Sequence, residues 1–310
     1  MKVVAIEGSI KGVVTSFEKG ISRHGDTFEL VKNPRLVKSA DAFIQTNLLK
    51  PKISKSPWGH VYEYIAKSNK PFLVNESATF RDYLTYTRLG WYSYKWSEGI
   101  FGNENAPRDR WLKFEKDTGI KFKDWNSPGD AIVIMGQKEG DSSLLNLYKD
   151  YNSFYDWVEE LIIEIRKYSD RQIILRPHPR NLRRGEKLCN RLKTKYPDLN
   201  LEVSENVAGY FTRSTGGEGL QIDLQRAYCV VTYNSLSGID SILQGIPTFA
   251  LEDGSMAWPI AHKNLNQIEN LNYDIDITQW QNEVAYCQWT HREHANGESW
   301  AHLKPLIFKE

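Results

Sequence analysis

The second half of the chain alternates short apolar runs with amphipathic segments, and this alternation restricts the fold more than any other feature of the sequence. Residues 131–135 (Ala-Ile-Val-Ile-Met), 173–175, 201–203, 229–232 and 248–251 are apolar runs of strand length, too short for helices and rich in β-branched side chains. Between them, residues 154–167 carry Trp157, Leu161, Ile162 and Ile165 at helical spacing, and 186–195 and 238–243 read as further helices, the last stopped at Gly245. Five strands separated by helices predict a doubly wound, Rossmann-like parallel sheet. Such a sheet binds ligands outside the carboxyl ends of its strands.

The first half repeats the theme less regularly. Residues 3–6, 41–46 and 71–75 read as strands and 61–66 as a helix, with Gly8 and Gly12 loosening the chain after the first strand as a ligand loop would. Residues 79–125 are irregular, aromatic and charged, and a connection of that length is expected to be functional. The turn Asn126-Ser127-Pro128-Gly129 is the boundary signal. Three segments are therefore expected: 1–125 and 126–277 as Rossmann-like domains, and 278–310 as a tail of one or two helices. The length of 310 residues suits two such domains.

Charge and cysteine usage exclude several classes. A net charge of +1 gives no global field for coating nucleic acid or a membrane surface, so an acidic partner must meet a local patch. Cys189, Cys229 and Cys287 contain no C-x-x-C pair, which argues against a disulfide framework or a cysteine zinc site and for a reducing compartment. The apolar start is interrupted by Glu7, unlike a signal peptide, and no run approaches the ~20 residues that span a bilayer. A cytoplasmic location and no membrane span are expected. No metal is expected either. Asp274 and Asp276 read as solvated loop acids, and His291, His294 and His302 with Glu298 lack the H-E-x-x-H spacing.

Four polar clusters fall at ends of the second-half strands. Gly136-Gln137 with Asp141-Ser142-Ser143 follows the first. Arg176-Pro177-His178-Pro179-Arg180 follows the second, its prolines holding an extended loop. Arg176 or Arg180 can pair bidentately with a diphosphate and His178 can donate a hydrogen bond to it; a surface loop with a structural histidine is the plainer reading. Ser214 to Gly219 lacks the G-K-[ST] ending of a P-loop and reads as a turn. Asn234-Ser235-Leu236-Ser237-Gly238-Ile239-Asp240 opens a helix. There Ser235 or Ser237 can cap, Gly238 allows close backbone approach, and first-turn N–H groups can face an anion. Asp240 can accept from ribose hydroxyls. An ordinary capped helix would look the same.

Taken in order and spacing, Gln137 with Asp141-Ser142, Arg-Pro-His-Pro-Arg at 176–180, and Asn234-Ser235-x-x-Gly238-x-Asp240 running into Gln244-Gly245-Ile246-Pro247 resemble the capsular-polysaccharide and Kdo-type glycosyltransferases. The departures are Asp240 for Glu, Ser241 for Ala and Ile246 for Lys. The resemblance, which covers roughly the second half, implies a GT-B fold of two Rossmann-like domains facing across a cleft. It also implies a nucleotide-sugar donor (a UDP-sugar expected) bound by Gly136, Gln137, Asp141, Ser142, Arg176, His178, Arg180, Asn234, Ser235, Ser237, Gly238 and Asp240, and chemistry without a bound metal or other cofactor. The tail, at 285–290 and 297–303, resembles bacteriophage-encoded relatives, some of which glycosylate hydroxymethylated bases of DNA. That resemblance favours a 5-hydroxymethylpyrimidine acceptor, and a host's cytoplasm, over a capsule or lipopolysaccharide acceptor. A nucleotide-sugar epimerase or a non-catalytic binding module are the other readings.

For the acceptor, Arg81, Arg88, Trp91, Tyr92, Trp96, Arg108 and Arg110 interleave cations with aromatics. This pattern can stack a base or sugar beside phosphates, and can flank an extruded base; a tyrosine-rich satellite core is the equal alternative. Glu76, Asp82 and Asp109 are the candidates for a catalytic base, with His178 on the leaving-group side.

Overall fold

A computed structural model describes residues 1–6, 11–31, 37–46, 64–80, 85–207 and 217–309. The chain forms two compact units: Met1–Thr79, Tyr83–Thr118 and Thr278–Glu310 make the first, and Phe80–Asp82 with Gly119–Ile277 the second.

The first unit holds a six-stranded sheet ordered β2-β1-β3-β4-β5-β11. Strands β1 (Lys2–Ile6), β2 (Thr27–Val31), β3 (Ala42–Thr46) and β4 (Phe72–Ser77) are parallel. Antiparallel β5 (Tyr86–Trp91) follows β4, and β11 (Gln288–Thr290) pairs with β5. In β1 the period of two divides Val3 and Ala5 from Val4 and Ile6, so each face joins a different apolar core. Helix α1 (Lys11–Arg23) runs through Gly12, which sequence reading assigned to a loop; Gly8 lies outside the described residues. The helix expected at 61–66 is described only from residue 64, where helical turns run to 68. Helix α2 (Asp109–Thr118) falls inside the stretch expected to be irregular.

The second unit is a five-stranded, all-parallel sheet ordered β10-β9-β6-β7-β8. Its strands are β6 (Ala131–Met135), β7 (Ile173–Arg176), β8 (Leu201–Val203), β9 (Ala227–Thr232) and β10 (Thr248–Ala250). Helices α3 (Phe154–Ile165), α4 (Leu182–Lys195), α5 (Gly217–Gln225) and α6 (Ser237–Leu243) connect them. Strand β6 again splits by parity: Ile132 and Ile134 enter one core, Ala131, Val133 and Met135 the other. Burying each large apolar side chain contributes about 1.5–3 kcal/mol. Helix α6 stops where Gly245 adopts φ +76°, the left-handed turn that glycine makes without a Cβ penalty.

The division between units falls after Thr118, ahead of the Asn126 turn. Residues 119–125 belong to the second unit because Lys123 N–H donates to the Leu243 carbonyl (3.1 Å) and Trp125 Nε1 to the Ile275 carbonyl (3.0 Å). The turn itself is fixed by Asn126 N–H donating to Gly245 O at 2.7 Å. The tail folds back into the first unit instead of standing apart. Helix α7 (Thr278–Tyr286) leads into β11, and α8 (His291–Asn296) and α9 (Glu298–Ile307) follow. Trp289, Trp300 and Leu303 enter the core with Leu73, Leu89 and Trp91, and a Cβ on Gly20 of α1 would strike the His294 carbonyl of α8. Among the described residues no helix is long and apolar enough to cross a membrane.

Arg110 and Lys113 of α2 both pair with Glu293 of the tail. Glu293 closes a capping box on α8, accepting from Thr290 N–H (2.7 Å) and Thr290 Oγ1 (2.9 Å). It also pairs with Arg110 at 2.9 Å, with side-chain exposures of 3% and 11%, and the guanidinium lies 3.6 Å over the Trp289 ring. Burial pushes the Glu293 carboxyl upward, but Arg110, the Thr290 N–H and Lys113 together hold the group below the usual glutamate range. A lowered folded-state pKa stabilises at neutral pH and loses that contribution as pH falls through the acidic range beneath the ordinary value. Arg110→Ala is expected to cost about 3–5 kcal/mol, since it strands a buried carboxylate. Chemical denaturation at pH 7 measures this, and the deficit should shrink toward pH 3 as Glu293 protonates in both proteins.

Candidate functional site

The chain runs β6 to β7 to β8 in one direction and then crosses to β9 and β10 on the other side of β6. The carboxyl ends of β6 and β9 therefore flank a topological switch point, where loops diverge and leave a crevice. Met135 and Thr232 are register partners at its rim, so the residues that follow, Gly136-Gln137 and Tyr233-Asn234, face one another.

Gln137 and Asn234 lock together across this point. Gln137 Nε2 donates to Asn234 Oδ1 at 2.7 Å and to Ser143 Oγ at 3.2 Å, and Asn234 N–H donates back to Gln137 Oε1 at 3.0 Å. Asn234 Nδ2 donates to the Ser143 carbonyl (2.9 Å) and to Glu252 Oε2 (2.8 Å). Both protons on each amide nitrogen are thus engaged. These two residues, expected from the sequence to contact the donor, brace the ends of β6 and β9, their side-chain N–H groups engaged with Asn234, Ser143 and Glu252. Asp141 completes the frame by accepting from Ser143 N–H and Oγ, both at 3.0 Å, while Ser142 is buried.

The Arg-Pro-His-Pro-Arg loop crosses the end of β6 at contact distance. A Cβ on Gly136 would lie 2.7 Å from Arg176 O, 2.8 Å from His178 N and 2.9 Å from Pro177 Cα, so only glycine fits. His178 caps the single turn that follows: its Nδ1 accepts from Arg180 N–H at 3.2 Å. In the neutral ring that leaves the proton on Nε2, a donor for an anionic oxygen. His178 is half-buried and Arg180 exposed. Arg176, expected on the diphosphate, is committed elsewhere. It pairs with fully buried Asp223 of α5 and donates to the carbonyls of Asn206 (3.0 Å) and Gly219 (3.1 Å). Asp223 also accepts from Ser204 Oγ (2.6 Å) and Asn206 Nδ2 (2.9 Å). A buried carboxylate needs such a partner, so Arg176 holds the loop in place from within the fold.

On the β9 side, Ser235 Oγ accepts from Ser237 N–H at 3.2 Å, and Ser235 N–H donates to Thr232 Oγ1 at 3.0 Å. Gly238 presses on Thr232, where a Cβ would meet Cγ2 at 3.1 Å. Asp240 is buried one turn into α6. The turn of 214–216 lies outside the described residues, and Gly217 to Gly219 begin α5. Sequence reading missed Glu252, which follows β10 and accepts from Asn146 Nδ2 (2.9 Å), Asn234 Nδ2 and Gly254 N–H (3.1 Å). An acid directly after an apolar strand in a parallel sheet was the available signal.

In the first unit the acceptor candidates separate. Arg88 is buried, donating to the carbonyls of Ser77 (2.9 Å) and Tyr94 (3.2 Å), and Trp91 is a core residue whose Nε1 donates to Leu303 O (2.8 Å). Arg110 is held by Glu293. These three are internal, contrary to the expected stacking surface, because the sheet needs them to fill its edge. Tyr92 is exposed at φ +67°, Trp96 half-buried and Arg108 exposed. Arg81 and Asp82 lie outside the described residues. Asp109 accepts from Tyr286 OH at 3.0 Å on an exposed helix start. Glu76 sits at the carboxyl end of β4, the direct cross-strand partner of Arg88 on β5. His294 is enclosed by Thr87, Ser299 and Phe17, and burial lowers its pKa to about 3. His302 bonds Phe101 O at 2.8 Å. Among the described residues no group of His, Cys, Asp and Glu could hold a metal ion.

No family model matches the chain, and no curated protein matches its sequence. Solved structures do match. A KpsC β-Kdo 2,7-transferase of Thermosulfurimonas dismutans superposes with a TM-score of 0.56 at 12% identity, over 98% of this chain and 100% of that one. A KpsC β-Kdo 2,4-transferase of the same organism gives 0.55 at 12% identity, over 92% and 90%. The fold is shared. It is the mixed α/β fold of two Rossmann-like domains on which GT-B proteins are built, and it extends through the tail as well as the motif-bearing half.

The close crossing at Gly136 is the most demanding contact in the crevice. Gly136→Ala is expected to push the 176–180 loop off β6 and destabilise the second unit by about 1–3 kcal/mol, the usual cost of overpacking. Thermal unfolding and urea titration check it.

Proposed function

We propose that this protein is a nucleotide-sugar-dependent glycosyltransferase of glycan synthesis, binding its donor at the carboxyl edge of the second unit's sheet. The observation that carries the reading is the framed switch point: Gln137, Ser143 and Asn234 interlocked between β6 and β9, with His178 pressed alongside by Gly136. A full-length likeness to two Kdo transferases supports it. Transfer requires charge on the departing nucleotide phosphate to be stabilised and an acceptor hydroxyl to be aligned and deprotonated. His178 Nε2–H, Arg180 and the polar turn at Ser235 and Ser237 take the first task. Arg176 is held within the fold by Asp223, and Arg180 is the exposed cation of the loop.

Glu76 is the base we assign. It is half-buried at a strand's carboxyl end, directly opposite Arg88 on the neighbouring strand. The acceptor is a saccharide hydroxyl. The DNA-base acceptor favoured by the sequence rested on the tail and on the aromatic-cationic segment, and packing accounts for Trp289, Trp300, Trp91, Arg88 and Arg110 without a ligand.

The test offers the protein UDP-linked sugars and nucleotide-activated Kdo, each with a capsule oligosaccharide, a lipopolysaccharide core or 5-hydroxymethylcytosine DNA, and weighs the products. A sugar-sized mass gain on a saccharide is expected. His178→Ala should lower kcat/KM at least about 100-fold, equivalent to ~2.7 kcal/mol. Glu76→Gln should lower kcat about 10²-fold or more with little change in donor KM. Modification of DNA alone would sink the glycan reading, and donor consumption without acceptor would make the protein an epimerase.

A further inference from the structure

Outside the motifs that drew attention to the crevice stands a buried carboxylate with no motif of its own. Glu252 follows β10, and its side chain reaches three separate stretches of the chain. Oε1 accepts from Asn146 Nδ2 (2.9 Å), in the segment that follows β6; Oε2 accepts from Asn234 Nδ2 (2.8 Å), after β9, and from Gly254 N–H (3.1 Å) in its own loop. The residue is 8% exposed. Burying a carboxylate is costly unless hydrogen bonds replace water, and these three donors hold its orientation. The same bonds bind the donors in turn: Asn234 Nδ2 divides its protons between Glu252 and the Ser143 carbonyl, and Asn234 N–H and Oδ1 close on Gln137. The bonds that join Gln137, Ser143 and Asn234 across the β6 and β9 loops therefore connect to Glu252 through Asn234.

We infer that Glu252 is a positioning residue: through Asn234 and Asn146 it fixes the two loops of the switch point at the spacing that a nucleotide-sugar donor requires, without touching the reacting atoms. The inference about the donor rests on the function proposed above; the inference about the loops does not. What the site needs from Glu252 is a hydrogen-bond acceptor of this shape. A glutamine satisfies that need if its oxygen takes the place of Oε2, because the Asn146 amide can turn its own oxygen toward the new Nε2–H. Alanine removes the acceptor that Asn234 and Asn146 share.

Two measurements on the full chain test this. In amide hydrogen exchange read by mass spectrometry, Glu252→Ala should speed exchange about tenfold in peptides covering 137–146 and 233–238, leaving β6 and β7 protected, while Glu252→Gln stays near wild type. In kinetics with whichever donor wild type uses, Glu252→Ala should raise donor KM about tenfold or more with kcat within about threefold, and Glu252→Gln should restore KM to within about threefold. A residue that merely supports the fold would move kcat, KM and melting temperature together. Unchanged exchange in Glu252→Ala, exchange raised across the whole second unit, or Glu252→Gln as impaired as Glu252→Ala would each overturn the positioning role. If wild type uses no donor but the loops loosen as expected, the donor reading fails and the clamp stands.

Discussion

Strand β6 has no solvent-facing side. Its five residues are at most 1% exposed, with alternate side chains entering different cores, so both faces must be covered and both edges paired. A strand buried on both faces is served by parallel neighbours joined through helical crossovers, and that requirement propagates. It places β7 and β9 on opposite edges, makes the chain reverse direction across the sheet, and opens the crevice where the β6 and β9 loops part. The functional candidates sit there as a consequence of how β6 is buried.

Glycine then decides how closely the loops can approach. At Gly136 the absence of a side chain brings the His178 loop over the end of β6. His178 is in extended backbone after Pro177, Pro179 opens the turn that follows, and the ring's Nδ1 accepts from Arg180 N–H, which orients the ring. Polar residues around this point fall into two groups. Gln137, Asn234 and Glu252 are bonded in one set, Asp141 is bonded to Ser143 beside them, and Arg176 pairs with Asp223; these residues give the crevice its shape, while His178, Arg180, Ser235 and Ser237 make the second group. The first group is the larger because a crevice lined by irregular backbone must satisfy its own buried polar atoms before it can bind anything.

The first unit applies a different economy. Its sheet is finished by β11 from the tail, and Trp289, Trp300 and Leu303 complete a core begun by β1. The aromatic-cationic segment read as a possible stacking surface is largely edge-filling: Trp91 bonds the tail's backbone, and Arg110 neutralises the residue that caps α8. Cations beside aromatics have the same sequence signature whether they await a ligand or bury a carboxylate. Only the partner distinguishes them, and Glu293 lies 183 residues away from Arg110.

By itself the sequence determined the second unit's strands and their order of connection, because local periodicity of apolar residues and glycine stops are properties of neighbouring residues. The strands at 131–135, 201–203 and 229–232, the helix stop at Gly245 and the polar clusters at strand ends were all legible in this way. Helix α1 was hidden by Gly12, and β5 and β11 by aromatics and charges without clean alternation. Tertiary structure alone decided that the tail closes the first unit's sheet, that Arg176 faces Asp223, and that Glu252 joins Asn146 and Asn234. Each of these depends on pairing between residues far apart in the chain. Such pairing is set by which buried charge or amide finds a complementary group once the sheets form, and no local pattern records it.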